Sequence, residues 1–256
     1  MSLALPSRVA DAPDDAPKLT PAQRAVELSR PWVLFAIYVT LGADRLWWLA
    51  APVAAATCFA AFVQMHDAIH GSLGLSKRAN DVVLFLSGLL LLKSGHALRA
   101  THLRHHGKCL GEDDPEGAPA HWPLWRAVLR GPFHILTLRL EALRIAPRTR
   151  AVQAVETLAT LVLLAGAVAL YRVSGRAEGL VYWGVAAGIS GLMPIWAAYL
   201  PHRLAAQHPA VRAAGLLAQT WTPIVTSFAF HHPHHRHPKV PTALLPHWVR
   251  RGTGRG

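Results

Sequence analysis

The chain has 256 residues, of which 52% are hydrophobic and only 16% carry a charge. Average proteins contain about 25% charged residues, so this composition excludes an ordinary soluble domain and favours an integral membrane protein. The formal net charge of +12 indicates an anionic partner. The basic residues lie between apolar segments, without the aromatic and basic interleaving of a nucleic-acid-binding module, so anionic lipid headgroups are expected and nucleic acid is not.

The first part of the chain predicts a polar tail followed by a helical hairpin. Residues 1–30 are rich in proline, alanine and acidic side chains and lack the apolar segment of a signal peptide, so we expect a disordered cytoplasmic tail with a short helix at its end. The apolar segments 32–43 and 46–65 flank the charged pair at 44–45. This pattern predicts two membrane-crossing helices with the charged pair at the turn between them.

The rest of the chain predicts two further spans and helices that do not cross. Segment 82–92 is apolar but too short to cross, which predicts an interfacial or re-entrant helix. The basic and apolar mixture of residues 107–150 suits helices on the membrane surface or a solvated charged face. Segments 152–170 and 180–200 predict the third and fourth spans. Of the 26 Lys and Arg residues, only Arg45, Arg172 and Arg176 fall on the far side, so the positive-inside rule places both termini in the cytoplasm.

The chain contains 16 histidines, and eight of them form three groups with helical spacing. Residues three or four apart share one face of a helix, so each group can aim its rings at one point. Neutral imidazole is a common metal ligand. Eight ligands exceed the four of tetrahedral zinc but suit two iron ions with open positions for oxygen. The groups are His66 and His70; His102, His105 and His106; and His231, His234 and His235.

Other metal chemistries fit the pattern less well. The first group, HDAIH, lacks the glutamate that HExxH metalloproteases use as a general base. A metal transporter or sensor would place ionisable residues inside the spans, where only Glu156 qualifies. The second nitrogen of a ligating imidazole needs a fixed partner, and Asp67, Asp113 and Asp114 are the possible ones. Asp113 and Asp114 precede a proline and equally suit a turn or a helix cap.

Three stretches carry a family resemblance. HDAIHGS, HLRHH followed by EDDPEG, and HHPHHRHPKVPTALLP resemble the histidine boxes of the membrane fatty acid desaturase superfamily, over residues 60–247. The resemblance implies an all-α integral membrane protein with about four transmembrane helices, interfacial helices and a cytoplasmic histidine-rich di-iron cap. It implies two iron ions and O2 acting on a lipid, with electrons from a separate donor such as ferredoxin. The expected divisions are a tail at 1–30, the desaturase-like domain at 31–247 and a basic tail at 248–256.

Within the superfamily the nearest resemblance is to bacterial β-carotene ketolases, which carry a similar first box, a DDP motif, a YLPHR-like segment and HPxVPxxxLP. The matching segments here are 66–72, 113–115, 199–203 and 237–246. The resemblance implies that His202 is a ninth ligand. Two departures stand out, since the aromatic residue that ketolases carry near His96 is missing and His232 could exchange roles with His231. We therefore expect a fatty acyl desaturase or hydroxylase in a bacterial inner membrane, with a carotenoid ketolase or hydroxylase as the close alternative.

Overall fold

The computed structural model describes residues 16–205, 207–218 and 228–253. Over these residues the chain is all-α, with no strand. A π-helical segment, Pro194–Tyr199, connects α7 to α8. The α-helices are α1 (Pro21–Ala43), α2 (Trp47–His70), α3 (Lys77–Leu90), α4 (Gly95–Lys108), α5 (Leu124–Ile145), α6 (Arg150–Ser174), α7 (Glu178–Gly191), α8 (Leu200–Arg203), α9 (Pro209–Leu217), α10 (His231–Arg236) and α11 (Leu245–Thr253).

The first helix begins earlier than the sequence suggested. Thr20 and Gln23 form a capping box, in which the Thr20 side chain accepts from the Gln23 backbone and the Gln23 side chain accepts from the Thr20 backbone. Pro21 occupies the first helical turn, where its missing N–H costs nothing. The short helix expected at the end of the tail is continuous with the first predicted span, so residues 21–30 are helical, and residues 1–15 lie outside the described residues. Of the predicted basic tail at 248–256, residues 248–253 belong to α11 and residues 254–256 lie outside the described residues.

Helices α1 and α2 form the predicted hairpin, and α6 and α7 form a second antiparallel pair. At one end of this bundle the Gln64 side chain donates to the Leu28 carbonyl at 2.8 Å, which joins the start of α1 to the end of α2. At the other end the Tyr38 hydroxyl donates to the Glu178 carbonyl, which joins the end of α1 to the start of α7. The bundle therefore returns α2 and α7 to the same end, where α3 and α4 also lie.

Three helical segments are long and apolar enough to cross a membrane, namely Trp47–His70, Pro147–Ser174 and Glu178–Arg203. The number rises to four if the pair α3 and α4, which bends by 105°, counts as one broken span. The first predicted span, at 32–43, is not among them, since the first half of α1 carries Arg24, Glu27 and Arg30. These helices are those of an integral membrane protein.

Helix α5 is a 22-residue helix that presents apolar side chains in two directions. One face buries Ala127, Gly131, His134, Leu138 and Ala142 against the rest of the protein. The opposite face leaves large apolar side chains uncovered, which suits a helix that lies in the membrane interface. The exposed side chains are Leu124, Trp125, Val128, Leu129, Phe133, Leu136 and Leu140.

Candidate metal centre

The four elements that carry the predicted ligands meet at one end of the bundle. Helix α2 ends at His70 because Gly71 adopts a left-handed conformation (φ 69°), which glycine reaches without steric cost since it has no side chain. Helix α4 supplies its three histidines from its last turns, α8 supplies His202, and α10 supplies the third group. Because a spacing of four residues keeps two side chains on one side of a helix, three pairs of rings each point the same way. The pairs are His66 and His70, His102 and His106, and His231 and His235.

The nine predicted imidazoles lie in two groups, and the first contains five. The Nε2 atom of His66 is 3.0 Å from Nε2 of His234, and Nε2 of His70 is 3.0 Å from Nε2 of His102. His106 connects these two pairs, since its Nε2 is 3.2 Å from that of His102 and 3.0 Å from that of His234. Ligand atoms of His66, His70, His102 and His234 all lie within 4.8 Å of one another.

The second group contains four imidazoles from three helices. Nε2 of His202 is 3.2 Å from Nε2 of His105 and 2.9 Å from Nε2 of His231. Nε2 of His235 is 3.1 Å from Nε2 of His231. The Cys109 thiol also approaches this group, within 4.8 Å of the ligand atoms of His105, His202 and His235. The structure thus brings all nine predicted side chains together, while their role as ligands stays a prediction.

Two buried carboxylates hold the second nitrogen of imidazoles in α4. Nδ1 of His102 donates to Glu116 at 2.7 Å, and Nδ1 of His105 donates to Asp114 at 2.7 Å. Asp114 is further fixed by backbone N–H groups of Leu110 and Gly117, at 2.8 and 2.9 Å. An ionised carboxylate can only accept, so each bond keeps the proton on Nδ1 and leaves the Nε2 lone pair free for a metal.

Asp67 supports the first group more loosely. Its Oδ1 is 3.4 Å from Nδ1 of His66, and the same carboxylate accepts from the Thr242 backbone N–H at 3.0 Å and from the Thr242 hydroxyl at 2.5 Å. Thr242 follows Pro241 in the HPKVPT stretch, so that stretch holds the carboxylate beside the first box. Asp67 therefore connects α2 with the segment after α10.

The structure changes the set of carboxylate partners that the sequence suggested. The side chain of Asp113 is 65% exposed and lies 3.3 Å from Arg104, and among the described residues it contacts no histidine. Its place is taken by Glu116, which sequence reasoning missed although it stands in the quoted EDDPEG motif. The reason is local, because Asp114 accepts backbone N–H groups within its own turn and so directs Asp113 outward.

The structure also distinguishes His231 from His232. His231 is buried and faces His202 through Nε2, whereas His232 is half-buried with its ring centroid 6.5 Å from that of His202. His96 donates from Nδ1 to Glu156 at 2.7 Å and lies away from both groups. Glu156 is likewise engaged by the Ser94 hydroxyl.

Electrostatics keep the histidines of α10 neutral and the two carboxylates that support the α4 histidines charged. Burial, followed by the charges of neighbouring imidazoles, lowers the pKa of His231, His234 and His235 well below the usual range. Burial opposes ionisation of Asp114, but the hydrogen bond and charge of His105, together with the backbone N–H groups of Gly117 and Leu110, lower the pKa of Asp114 below its usual value. Burial likewise opposes ionisation of Glu116, and the interactions with His102 and His105 together lower the pKa of Glu116. Neutral imidazole is the form that a metal requires.

The donor set fits metal ions. In each group several Nε2 atoms face one another at about 3 Å, a spacing at which their lone pairs repel unless a cation or proton lies between them. The lowered pKa values of His231 and His234 disfavour protons at these nitrogens. Beside the first group lies a cavity of about 20 Å³ lined by Phe62, Ala197 and Leu245, which has room for about one water molecule.

The chain was compared with known proteins. A family model described as "Fatty acid desaturase" matches residues 46–252, which include all three histidine groups and His202. No curated protein and no solved structure matches the chain.

Proposed function

Because the chain belongs to the fatty acid desaturase family, we propose that this oxidoreductase uses two iron ions and O2 to oxidise C–H bonds of a lipid. The expected reaction is desaturation or hydroxylation of a fatty acyl chain. The observation that carries the proposal is the pair of imidazole groups, with five and four Nε2 atoms directed inward, at the end of a membrane-spanning bundle. Five and four nitrogen ligands leave coordination positions for oxygen at iron.

The residues of the chain have three tasks in this proposal. The two groups hold the irons, which when bound supply the oxidising power for attack on an unactivated C–H bond. Glu116 and Asp114 keep the Nδ1 protons of His102 and His105 in place and so orient both rings. Phe62 and Leu245, both buried, exclude bulk water from the reacting side of the centre.

Two of the four segments that resemble ketolases have another explanation. The HPKVPT stretch resembles ketolases, but its Thr242 holds Asp67 beside His66. In the YLPHR stretch His202 belongs to the second imidazole group and Arg203 donates to the Ala120 carbonyl at 2.9 Å. Both motifs therefore have a role at the metal centre, and that role is the same for an acyl and for a carotenoid substrate. This reasoning favours the acyl substrate, and carotenoid ketolation or hydroxylation stays the second candidate.

A metal transporter or sensor has less support. That function requires ionisable side chains available along a path through the spans. This alternative depended on Glu156, which is 1% exposed and accepts hydrogen bonds from His96 and Ser94. A carboxylate held by two neighbours is not free to bind a passing ion.

We further propose that the metal centre and both termini face the cytoplasm, with the protein in a bacterial inner membrane. The positive-inside rule supports this orientation, since Arg45, Arg172 and Arg176 lie at the end of the bundle opposite the histidines. A separate reductant, such as ferredoxin, would approach from the cytoplasm and deliver electrons to the centre.

Metal content and products together test the proposal. Purified protein should hold about two irons per chain, by the ligand arithmetic above. The chain is then expressed, with iron and oxygen, in a bacterial host that accumulates β-carotene, and pigments and membrane fatty acids of one culture are analysed. New double bonds or hydroxyl groups in acyl chains are expected, with unchanged pigment.

The other outcomes are equally informative. Ketolated pigment with unchanged fatty acids would replace the acyl substrate by the carotenoid. One zinc per chain without iron would refute the di-iron centre. A matched His105→Ala variant should form no product, whereas His247→Ala, an exposed histidine outside both groups, should behave as the parent chain.

A further inference from the structure

A cavity of about 490 Å³ lies apart from both imidazole groups, between α4, α5, α6 and α7. Its volume is within the range of about 300–1,000 Å³ that is typical of small-molecule sites. Most of its walls are apolar, so it is suited to a hydrocarbon. The apolar wall residues include Leu92, Leu98, Ile135, Leu138, Ala187 and Met193.

The cavity opens sideways toward the surface that the membrane would cover. Leu136 on α5 and Leu161 on α6 line it and are 59% and 56% exposed. Ala187 on α7 also lines it and is exposed. Large apolar side chains at the rim, on helices that meet the bilayer, allow a lipid to enter from the side rather than from water.

Two cationic side chains, Lys93 and Arg139, line this largely apolar cavity. Nζ of Lys93 lies 2.9 Å from the Met193 thioether, and among the described residues no carboxylate lies within 4 Å of it. Arg139 donates to the Gln153 carbonyl at 2.5 Å and to the Thr157 hydroxyl. A thioether is a weak acceptor, and the negative charge of Glu116 acts on Lys93 only from beyond 4 Å, so the Lys93 ammonium can still donate to an anionic oxygen in the cavity.

The cavity is connected to the metal centre through α4. Leu98 is in its wall, and His102 and His105 follow Leu98 by four and seven residues on the same helical face. The rise of an α-helix separates these positions by about 6 and 10 Å along the axis. The shared face of α4 therefore places this wall of the cavity within about 10 Å of His102 and His105 along the helix axis.

We propose that this cavity binds an anionic lipid, with a carboxylate or phosphate oxygen accepting from Lys93 and the hydrocarbon against the apolar walls. The positive charge of Lys93 in a largely apolar cavity is complementary to such a molecule. That the bound lipid is the oxidised substrate rests on the proposed function; the binding itself does not.

Binding is measured by titration with parinaric acid, a fluorescent polyene fatty acid, in detergent and without reductant. The uncharged methyl ester is titrated in parallel. Lys93→Met removes the charge and keeps much of the volume, so the acid should bind ten- to a hundredfold more weakly, as for a lost charge-assisted hydrogen bond. The ester should bind both proteins alike, and Lys93→Arg should bind the acid nearly as the parent chain does.

Two further variants separate the cavity from general effects. Ala187→Phe fills the opening and should weaken acid and ester together, whereas Ala36→Phe, on the exposed face of α1, should change neither. His105→Ala should retain acid binding while it loses activity. A parent chain that binds the acid but forms no product when iron, oxygen and reductant are supplied would count against the proposed function alone. Equal affinity of Lys93→Met and the parent chain for the acid would overturn the binding proposal.

Competition identifies the source of the anionic oxygen. Displacement of parinaric acid by palmitate but not by phosphatidylglycerol assigns the site to a free carboxylate, and the reverse assigns it to a phosphate headgroup. Mass spectrometry of lipids retained by the purified protein, compared between the parent chain and Lys93→Met, provides the second measurement. Retention of the same anionic lipids by both proteins would contradict a role for Lys93.

Discussion

Replacement of Glu116 tests whether its carboxylate supports the first imidazole group. Glu116 is buried, accepts from Nδ1 of His102 at 2.7 Å, and also accepts from the Thr101 hydroxyl at 3.3 Å. A hydrogen bond to a charged group is worth about 1.5–3 kcal/mol, which corresponds to about 10- to 150-fold in an equilibrium constant. Partners of metal-ligating histidines typically affect metal affinity by about 10- to 100-fold.

Two substitutions should give graded losses. Glu116→Gln keeps an acceptor oxygen and loses the charge, so iron affinity should fall by about tenfold. Glu116→Ala leaves a buried Nδ1–H without an acceptor, so the loss should approach about a hundredfold. Iron is titrated against a competing chelator, iron per chain is counted by mass spectrometry, and circular dichroism checks that the helices persist.

Asp113→Asn is the matched control. Asp113 stands three residues from Glu116 but is 65% exposed and pairs with Arg104 at 3.3 Å, an arrangement worth about 0–1 kcal/mol. Its iron affinity should equal that of the parent chain. Parent-like affinity in Glu116→Ala, or an equal loss in Asp113→Asn, would refute this account of how the imidazoles are supported.

Four further predictions concern the ligands and their surroundings. His231→Ala should lose about one iron per chain while His232→Ala keeps both, because only His231 faces His202 at 2.9 Å. Cys109→Ser should retain both irons, since burial raises the pKa of the Cys109 thiol to about 12 and keeps it protonated. In metal-free protein the lowered pKa of Asp114 contributes stability above about pH 4 that is lost on acidification; the melting temperature of Asp114→Asn should therefore fall less between pH 5 and about pH 3. Glu156→Ala should lower the free energy of unfolding, followed by thermal melting in detergent, by about 1–3 kcal/mol for each of the two donors, His96 and Ser94, that lose their acceptor.

The sequence by itself determined the helical framework and the identity of the imidazoles. Apolar segments separated by charged turns predict the hairpin because the hydrocarbon core admits only helices of sufficient length. A spacing of four residues puts two histidines of each box on one side of a helix, whatever the tertiary structure. The structure accordingly brings together all nine side chains that the motifs indicated.

Only the tertiary structure decided how those imidazoles divide. His105 and His106 are neighbours in the chain but join different groups, and so do His234 and His235. Adjacent residues on a helix point about 100° apart, so they face different centres. Which centre each faces depends on how α4 and α10 pack against α2 and α8, and no spacing within a single box contains that information.

The choice of Glu116 over Asp113 was decided in the same way. Both are acidic residues of one short loop, and only the fold of that loop directs Glu116 toward His102 and Asp113 toward Arg104. The cavity beside Lys93 likewise arises from four helices that are distant in the sequence. Local patterns specify elements and faces, whereas contacts between elements depend on the free energy of packing the whole chain.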